Sequence, residues 1–390
     1  MNIFKYLIYI AILLTLRPAI AADGELLVKG QASCWGNYSS GALYPLQLGG
    51  RYIPQLNGRR TIGGKTADFE ASLHLNAGFS AQPFDSAESR GDIKPYRLWL
   101  RYSAPRFEIR LGLQKINFGS ALLLRPLMWF DAADPRDPLQ LTDGAWGLLG
   151  RYYFLNNATL WLWLLRPAEQ LRSWELMPSN RSHPEWGGRI QYPLPGGEIG
   201  LSGHLRTADG RALAGEAAPA GEAWTQRDVL AEISESRIGL DAKWDWLVGL
   251  WFEGAWIRSG HSPAPLRNET LLTIGSDYTF GIGNGLHLLC ENLWFAAGPE
   301  GPGLDGARAL AGLSLTYPLS LFDQLSAILY ADWDEQELYR FASWRRQYDN
   351  LAISLMAWLN PERLFLPGHS GEGGAVFAGR GGQIMLIYNH

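Results

Sequence analysis

Cysteine is scarce in this chain, and long apolar segments are absent after residue 21. Only Cys34 and Cys290 occur among 390 residues, too few for a disulfide framework, and we expect both thiols to be free. Beyond residue 21 no apolar run reaches the roughly 18 residues of a membrane-spanning helix, and no convincing helical period occurs. These absences exclude a helical membrane protein and a disulfide-rich secreted scaffold.

The N-terminus has the order of a secretory signal peptide. Lys5 precedes an apolar block that ends at Arg17-Pro18, and small residues follow up to Ala22. The block is shorter than the roughly 20 residues of a membrane-spanning helix, which is the alternative. We therefore predict a signal peptide over residues 1–21 and a single domain over residues 22–390.

Positive charge is not in excess either. Without Lys5 and Arg17, 32 basic residues face 38 acidic residues, so the mature chain is mildly acidic. This balance argues against nucleic acid as a partner.

Alternating apolar and polar residues are abundant. In Asp68–Phe79, Phe69, Leu73 and Phe79 fall on one face, whereas Glu70 and His74 fall on the other. Similar segments recur, and many reach 10 or more residues, as membrane-spanning strands do. Trp and Tyr often stand towards segment ends, which is typical of the aromatic girdles of an outer-membrane barrel.

Connections between these segments alternate in length. Short turns, such as residues 103–105 and 193–197, alternate with long connections, such as 117–144 and 207–235. Outer-membrane barrels have this asymmetry, with short periplasmic turns and long external loops. The fold class predicted is therefore all-β, a transmembrane antiparallel up-and-down β-barrel with an inward-folded constriction loop.

Parity sets the strand count. Fourteen strands are readable between Asp68 and Leu359, with a short turn expected at Asn360-Pro361. Periplasmic termini require strands to be added in pairs. We expect one pair near 363–366 and 381–388 and another within residues 26–56. The total is 16 or 18 strands, and 18 is preferred.

The segment from Arg110 to Gly144 departs from the strand pattern. An alternating strand passes into a stretch in which prolines and aspartates surround an apolar centre, Leu122–Phe130. That stretch is too apolar for a solvated loop and too interrupted for a helix. We expect residues 117–144 to fold into the barrel mouth and narrow it, with these candidate residues: Arg125, Trp129, Phe130, Asp131, Asp134, Arg136 and Asp137.

Residues 159–165 are apolar on both faces. Either Trp161 and Trp163 or the intervening leucines must face the lumen. A lumen lined by aromatic rings would suit sugar stacking, but packing against an inserted loop is the favoured interpretation.

Alternation also assigns charges to the lumen. Three neighbouring strands direct a basic patch inwards: Arg97, Arg101, Arg106, Arg110 and Arg151. Other strands contribute acidic residues: Glu70, Glu253, Asp277, Glu291 and Asp332. Opposed basic and acidic walls would create a transverse field that tunes ion selectivity. The alternative is that the arginines pair with Glu70, Glu108 and loop aspartates to hold the loop, and both can hold together.

The motif Gly112-Leu113-Gln114-Lys115-Ile116-Asn117-Phe118-Gly119, with Trp129-Phe130 and Asp134-Pro135-Arg136-Asp137-Pro138 after it, resembles porin-like outer-membrane barrels related to the alginate-export type. The resemblance covers residues 97–166 and the C-terminal strand. It implies a barrel of 16 to 18 strands in the outer membrane of Gram-negative bacteria, through which solutes or polysaccharide pass.

The other motifs of the sequence do not indicate a function. Gly63-Gly64-Lys65-Thr66 lacks the first glycine of a phosphate-binding loop, and Gly368-His369-Ser370-Gly371 is expected to be a turn. His74 and His204 have no nucleophile elbow or metal spacing around them. We therefore expect no enzyme activity, no metal and no cofactor.

The function expected is an outer-membrane channel for passive passage of small hydrophilic solutes or saccharides. Expected partners are outer-membrane lipid and lipopolysaccharide, the solute, and the barrel-assembly machinery. An oligomer is compatible with the sequence. Two alternatives stay open: a plugged, non-conducting component of an export or assembly system, and a barrel-rim hydrolase.

Overall fold

The computed structural model describes residues 24–82, 85–168, 170–211, 232–260, 267–362 and 376–390. These residues form 18 antiparallel strands: β1 Gly24–Ser39, β2 Leu46–Ile62, β3 Lys65–Ala81, β4 Ala87–Ala104, β5 Phe107–Gln114, β6 Ala145–Tyr153, β7 Thr159–Leu165, β8 Glu185–Leu194, β9 Gly197–Ala208, β10 Ile233–Asp245, β11 Gly249–Ser259, β12 Asn268–Phe280, β13 Leu286–Gly298, β14 Arg308–Pro318, β15 Asp323–Asp332, β16 Glu337–Gln347, β17 Leu351–Leu359 and β18 Arg380–Asn389. Within these ranges no helix has the length and apolar character needed to cross a membrane. The predicted signal peptide and the Gly368–Gly371 motif lie outside the described residues.

Each strand pairs with its neighbours in the sequence, and β1 pairs with β18, so the sheet closes on itself. Gln31 of β1 lies opposite Asn389 of β18, and Leu351 of β17 lies opposite Tyr388. The start of β1, the end of β18 and the short turns therefore lie at one end of the barrel. The long connections lie at the other end, and the predicted 18-stranded barrel is confirmed.

Strand β9 shows how the residue pattern separates the two faces. Leu201 and Leu205 are 50% and 39% exposed on the outer surface. Ser202, His204 and Arg206 alternate with them, face the lumen and are 2%, 1% and 5% exposed. Because side chains of a strand alternate, an apolar outer belt and a polar interior arise from one sequence period.

The predicted boundaries near the C-terminus are wrong. The sequence pattern predicts a long connection over residues 334–343 and one strand from there to Leu359. In the structure, residues 337–347 and 351–359 form two strands, β16 and β17, which a turn at residues 348–350 joins. Tyr348 N donates to Leu351 O at 2.7 Å within this turn. Asn360-Pro361 begins the long connection to β18, so no extra strand is needed near 363–366, which lies outside the described residues.

The structure also places the Gly63-Gly64 pair and the two cysteines. Gly63 and Gly64 have φ values of +58° and +75° and form the tight turn between β2 and β3, a conformation that glycine adopts without steric cost. Cys34 of β1 and Cys290 of β13 are both free thiols. The glycine pair is therefore explained by the turn that it forms.

Candidate functional site

The connection between β5 and β6, residues 115–144, lies inside the barrel lumen. Most of its apolar side chains are buried against inward-facing residues of β6, β7 and β11–β17. Leu124, Leu127, Trp129 and Phe130 are each only 2–3% exposed. An external connection of this length would expose such residues to water, so burial of apolar surface favours the inward position.

Two wall carboxylates hold the backbone of this inserted loop. Glu253 of β11 accepts hydrogen bonds from Ala121 N at 3.0 Å and Leu127 N at 2.6 Å. Glu291 of β13 accepts from the amides of residues 122, 123 and 124 at 2.6, 2.9 and 2.6 Å. Both glutamates are 0% exposed. Since loop amides have no strand partners, the carboxylates satisfy donors that burial would otherwise leave unpaired.

Neighbouring residues complete this attachment. Thr273 Oγ1 of β12 donates to Leu124 O at 2.7 Å, and Trp251 Nε1 donates to Glu291 at 3.2 Å. Gly119 has a φ of +94°, and a Cβ there would lie 2.4 Å from a Glu253 oxygen. Glycine at this position lets the loop backbone approach the carboxylate.

The loop's own charges pair mainly within the loop. Arg125 contacts Asp131 at 3.1 Å, and Arg136 binds Asp134 through two nitrogens at 2.8 Å each. Asp137 accepts from the amides of residues 139 and 141. Arg125, Asp131, Asp134, Arg136 and Asp137 therefore stabilise the conformation of the loop. The rings of Trp129 and Phe130 pack the loop against the barrel wall.

Three of the predicted lumen arginines surround one carboxylate. Arg101, Arg110 and Arg151 approach Glu108 at 3.3, 3.2 and 3.6 Å. Arg101 also binds Asp68 at 2.5 Å. Three guanidinium groups against these two carboxylates leave one net positive charge among the five side chains.

The other two arginines lie elsewhere. Arg97 donates to Thr142 O at 2.9 Å and to Thr142 Oγ1 at 3.2 Å, which ties the end of the loop to β4. Arg106 lies exposed in the short turn between β4 and β5. The sequence pattern placed Arg106 in the patch because it shares the parity of Arg110. In the structure β5 begins only at Phe107, so Arg106 is not part of the strand.

The predicted acidic residues do not form one wall. Glu70 accepts from Trp99 Nε1 at 3.2 Å, next to the arginine cluster. Asp277 contacts His287 at 3.2 Å near the short turns, whereas Asp332 contacts Arg308 at 3.0 Å near the long connections. With Glu253 and Glu291 committed to the loop, the acidic set is distributed along the barrel axis.

A second inserted segment, the connection between β7 and β8, has no signal in the sequence. Trp174 Nε1 donates to Arg125 O at 2.7 Å, so this segment contacts the first loop. Glu175 approaches Arg237 and Arg206 at 2.9 and 3.1 Å, and Arg206 binds Glu235 at 2.6 and 2.8 Å. Alternation in the sequence places Arg206 and Arg237 of β9 and β10 in the lumen. It does not indicate that Glu175 is their common partner.

Trp161 and Trp163 face the lumen, and the leucines between them face outwards. Trp163 stacks on Phe118 of the loop with ring centroids 5.9 Å apart, and Trp161 lies 6.4 Å from the same ring. Leu162 and Leu164 are 59% and 51% exposed. These rings pack against the loop, so they are not open surfaces for sugar stacking.

A cavity of about 590 Å³ remains between the loop and the wall formed by β13–β17. Its lining combines apolar residues with polar ones, which include Lys115, Asn117, Gln140, Ser326 and Arg345. On the wall side, Ser326 and Arg345 lie near the strand ends that the short turns join.

His204 of β9 is buried in the lumen. His204 is 1% exposed, accepts from Trp163 Nε1 at 3.1 Å and lies within 3.5 Å of Glu185. It packs among the loop aromatics, out of reach of a substrate. No group of three or more His, Cys, Asp or Glu side chains within the described ranges is arranged to hold a metal ion.

The barrel is similar to solved structures of large outer-membrane barrels. Pseudomonas aeruginosa OccK5 aligns with a TM-score of 0.56 at 11% identity, covering 95% of this chain and 98% of that protein. Acinetobacter baumannii OccAB2 aligns with a TM-score of 0.53 at 10% identity, covering 94% and 98%. The sequence matches no known protein family and no curated protein.

Both proteins are porins of the Gram-negative outer membrane. The expected resemblance to porin-like barrels is therefore confirmed at the level of the fold. These likenesses do not bear on a relation to the alginate-export type.

Proposed function

We propose that this protein is an outer-membrane channel for passive passage of small hydrophilic solutes. Its constriction is the inserted loop, residues 115–144, which the buried carboxylates of Glu253 and Glu291 hold in the lumen. The observation that carries the proposal is the cavity between this loop and the β13–β17 wall, which has polar and charged side chains in its lining. Such a space beside a fixed loop favours permeation of hydrophilic solutes with a size limit.

The outer surface supports the location. Leu201, Leu205, Ile384, Leu386 and Tyr388 belong to an exposed apolar belt, which would contact membrane lipid and lipopolysaccharide. A signal peptide at residues 1–21 would export the chain, and the barrel-assembly machinery would insert it with β18 as the last strand. Each of these roles is part of the proposal.

The arginine cluster is proposed to set ion selectivity. Its net charge is only one, because Glu108 and Asp68 offset most of the guanidinium charge. A weak preference for anions is expected in place of a strong transverse field.

Planar-bilayer conductance tests the channel function. A folded barrel migrates more slowly on a gel after heating than before heating. Purified protein that shows this difference should insert into the bilayer and produce discrete current steps. Correctly folded protein that never yields steps would refute the proposal.

One observation favours a second candidate, a plugged component of an export or assembly system. The loop aromatics Trp129 and Phe130 join a continuous apolar cluster that includes Trp251, Leu293 and Trp358 on several walls. Zero conductance together with copurification of a periplasmic partner would support this candidate. Among the residues that the structure describes, no feature favours the rim hydrolase.

A further inference from the structure

A row of hydroxyl groups crosses the wall of the cavity opposite the inserted loop. Thr316 of β14 lies directly opposite Ser326 of β15, which lies opposite Ser343 of β16. All three line the cavity, as do Ser314 and Ser354. Because directly opposed residues of antiparallel strands lie about 5 Å apart, the row presents hydroxyls at regular intervals.

These hydroxyls have no structural task within the described part of the chain. Only Ser326 Oγ has a hydrogen-bond partner there, the Gln324 amide at 3.1 Å. The fold therefore leaves Thr316 and Ser343 available to a solute. A hydroxyl both donates and accepts hydrogen bonds, as the hydroxyl groups of a polyol or sugar do.

The remaining lining fits the same ligand chemistry. Leu122 of the loop is 57% exposed, and Ile328 lies next to the hydroxyl row, so the C–H groups of a polyol would have apolar contacts. Asp137, the one carboxylate of this lining, is engaged by loop amides. Lys115 and Arg345 also line the cavity, and Arg345 donates to Pro138 O at 3.2 Å.

We infer that the Thr316–Ser326–Ser343 row is a binding subsite for polyhydroxylated solutes. This inference rests on the proposed channel function and names its solute class. The row would exchange hydrogen bonds with successive hydroxyls of the solute as it passes the loop. Of the four cations in the lining, Arg125 and Arg136 pair with loop aspartates, and Lys115 and Arg345 are secondary to the hydroxyls, so neutral and acidic polyols should both bind.

Solute block of the ion current measures this binding directly. Mannitol, gluconate and triethylene glycol are titrated into a bilayer that holds single channels of the full protein. Mannitol and gluconate should reduce the current saturably, whereas triethylene glycol, which has only two hydroxyls, should follow the bulk conductivity. In the S326A/S343A variant the half-blocking concentration should rise roughly tenfold, as expected when two neutral hydrogen bonds are lost.

A serine of β1 provides the matched control. Ser33 faces the lumen, is 6% exposed and does not line the cavity, so S33A should leave both half-blocking concentrations unchanged. Block by gluconate alone would overturn the inference in favour of a cation site. Equal effects of mannitol and triethylene glycol, or unchanged block in S326A/S343A, would also overturn it.

Failure of the channel itself gives a different result. If no current appears, saturation-transfer NMR on the purified barrel tests mannitol binding without conduction. A mannitol signal that S326A/S343A abolishes and S33A retains supports the subsite although the channel function has failed. An absent signal overturns the subsite.

Discussion

Replacing Glu291 by alanine should loosen the inserted loop. The change removes the acceptor of three loop amides and of the Trp251 indole. An unsatisfied buried donor costs about 1 kcal/mol or more, so the three amides contribute roughly 3 kcal/mol to loop attachment. That amount corresponds to about a hundredfold change in the equilibrium between seated and released loop. E253A removes two amide partners and should have a smaller effect.

Two measurements check this prediction. Single-channel records of E291A should show larger current fluctuations and visits to a higher conductance than the wild type. In a C34S/C290S background, a cysteine at Met128, which is 3% exposed, should react with a maleimide only when Glu291 is replaced. Glu70→Ala is the control, because Glu70 bonds to Trp99 and Ser72 and does not hold the loop.

Unchanged current noise together with an unreactive cysteine at position 128 in E291A would refute the reasoning. Apolar packing would then hold the loop without the carboxylates. A similar response of the Glu70 variant would show that the effect is one of general lumen charge.

The remaining predictions concern the two charged clusters and the loop. Glu108→Gln removes the carboxylate that three arginines share, so the reversal potential in a salt gradient should shift towards anion selectivity. Arg106→Gln in the exposed turn is the control and should shift the reversal potential little. A shift towards cation selectivity in Glu108→Gln would contradict the assignment. Arg206→Met removes one of the two guanidinium groups that the buried carboxylates of Glu175 and Glu235 share. It should lower the unfolding free energy by about 3–5 kcal/mol, as read from thermal unfolding in detergent. Arg211→Met, which affects an exposed pair, should cost less than about 1 kcal/mol, and equal losses would count against a structural role of Arg206. Deleting part of 122–138 should raise the conductance, because it removes the constriction.

The barrel and its inserted loop could be predicted because their signals are local. A period of two over 10 or more residues identifies the strands, and alternation of short and long connections sets the parity. The loop could be recognised because Leu122–Phe130 has too much apolar surface for an external connection. Strand ends were less predictable: Tyr348-Asp349-Asn350 is a turn without glycine or proline between two segments that read as one.

The roles of the charged residues could not be predicted, because they depend on contacts between distant strands. Alternation placed Glu253 and Glu291 in the lumen, but nothing in their local sequence indicates that they accept loop amides more than 120 residues away. Similarly, Glu108 was paired with the arginines only as an alternative, and the geometry makes it their common partner. Glu175 lies in a connection and not on a strand, so alternation gave no signal of its link to Arg206 and Arg237.

The central claim is that residues 115–144 form the constriction of a conducting barrel. The most direct test compares single-channel conductance of the wild type with that of a variant in which residues 122–138 are replaced by a short glycine-serine linker. Heat-dependent gel migration confirms that both are folded barrels. The account predicts discrete steps for both proteins and a larger step for the variant. Equal steps, or no steps from folded protein of either kind, would contradict it.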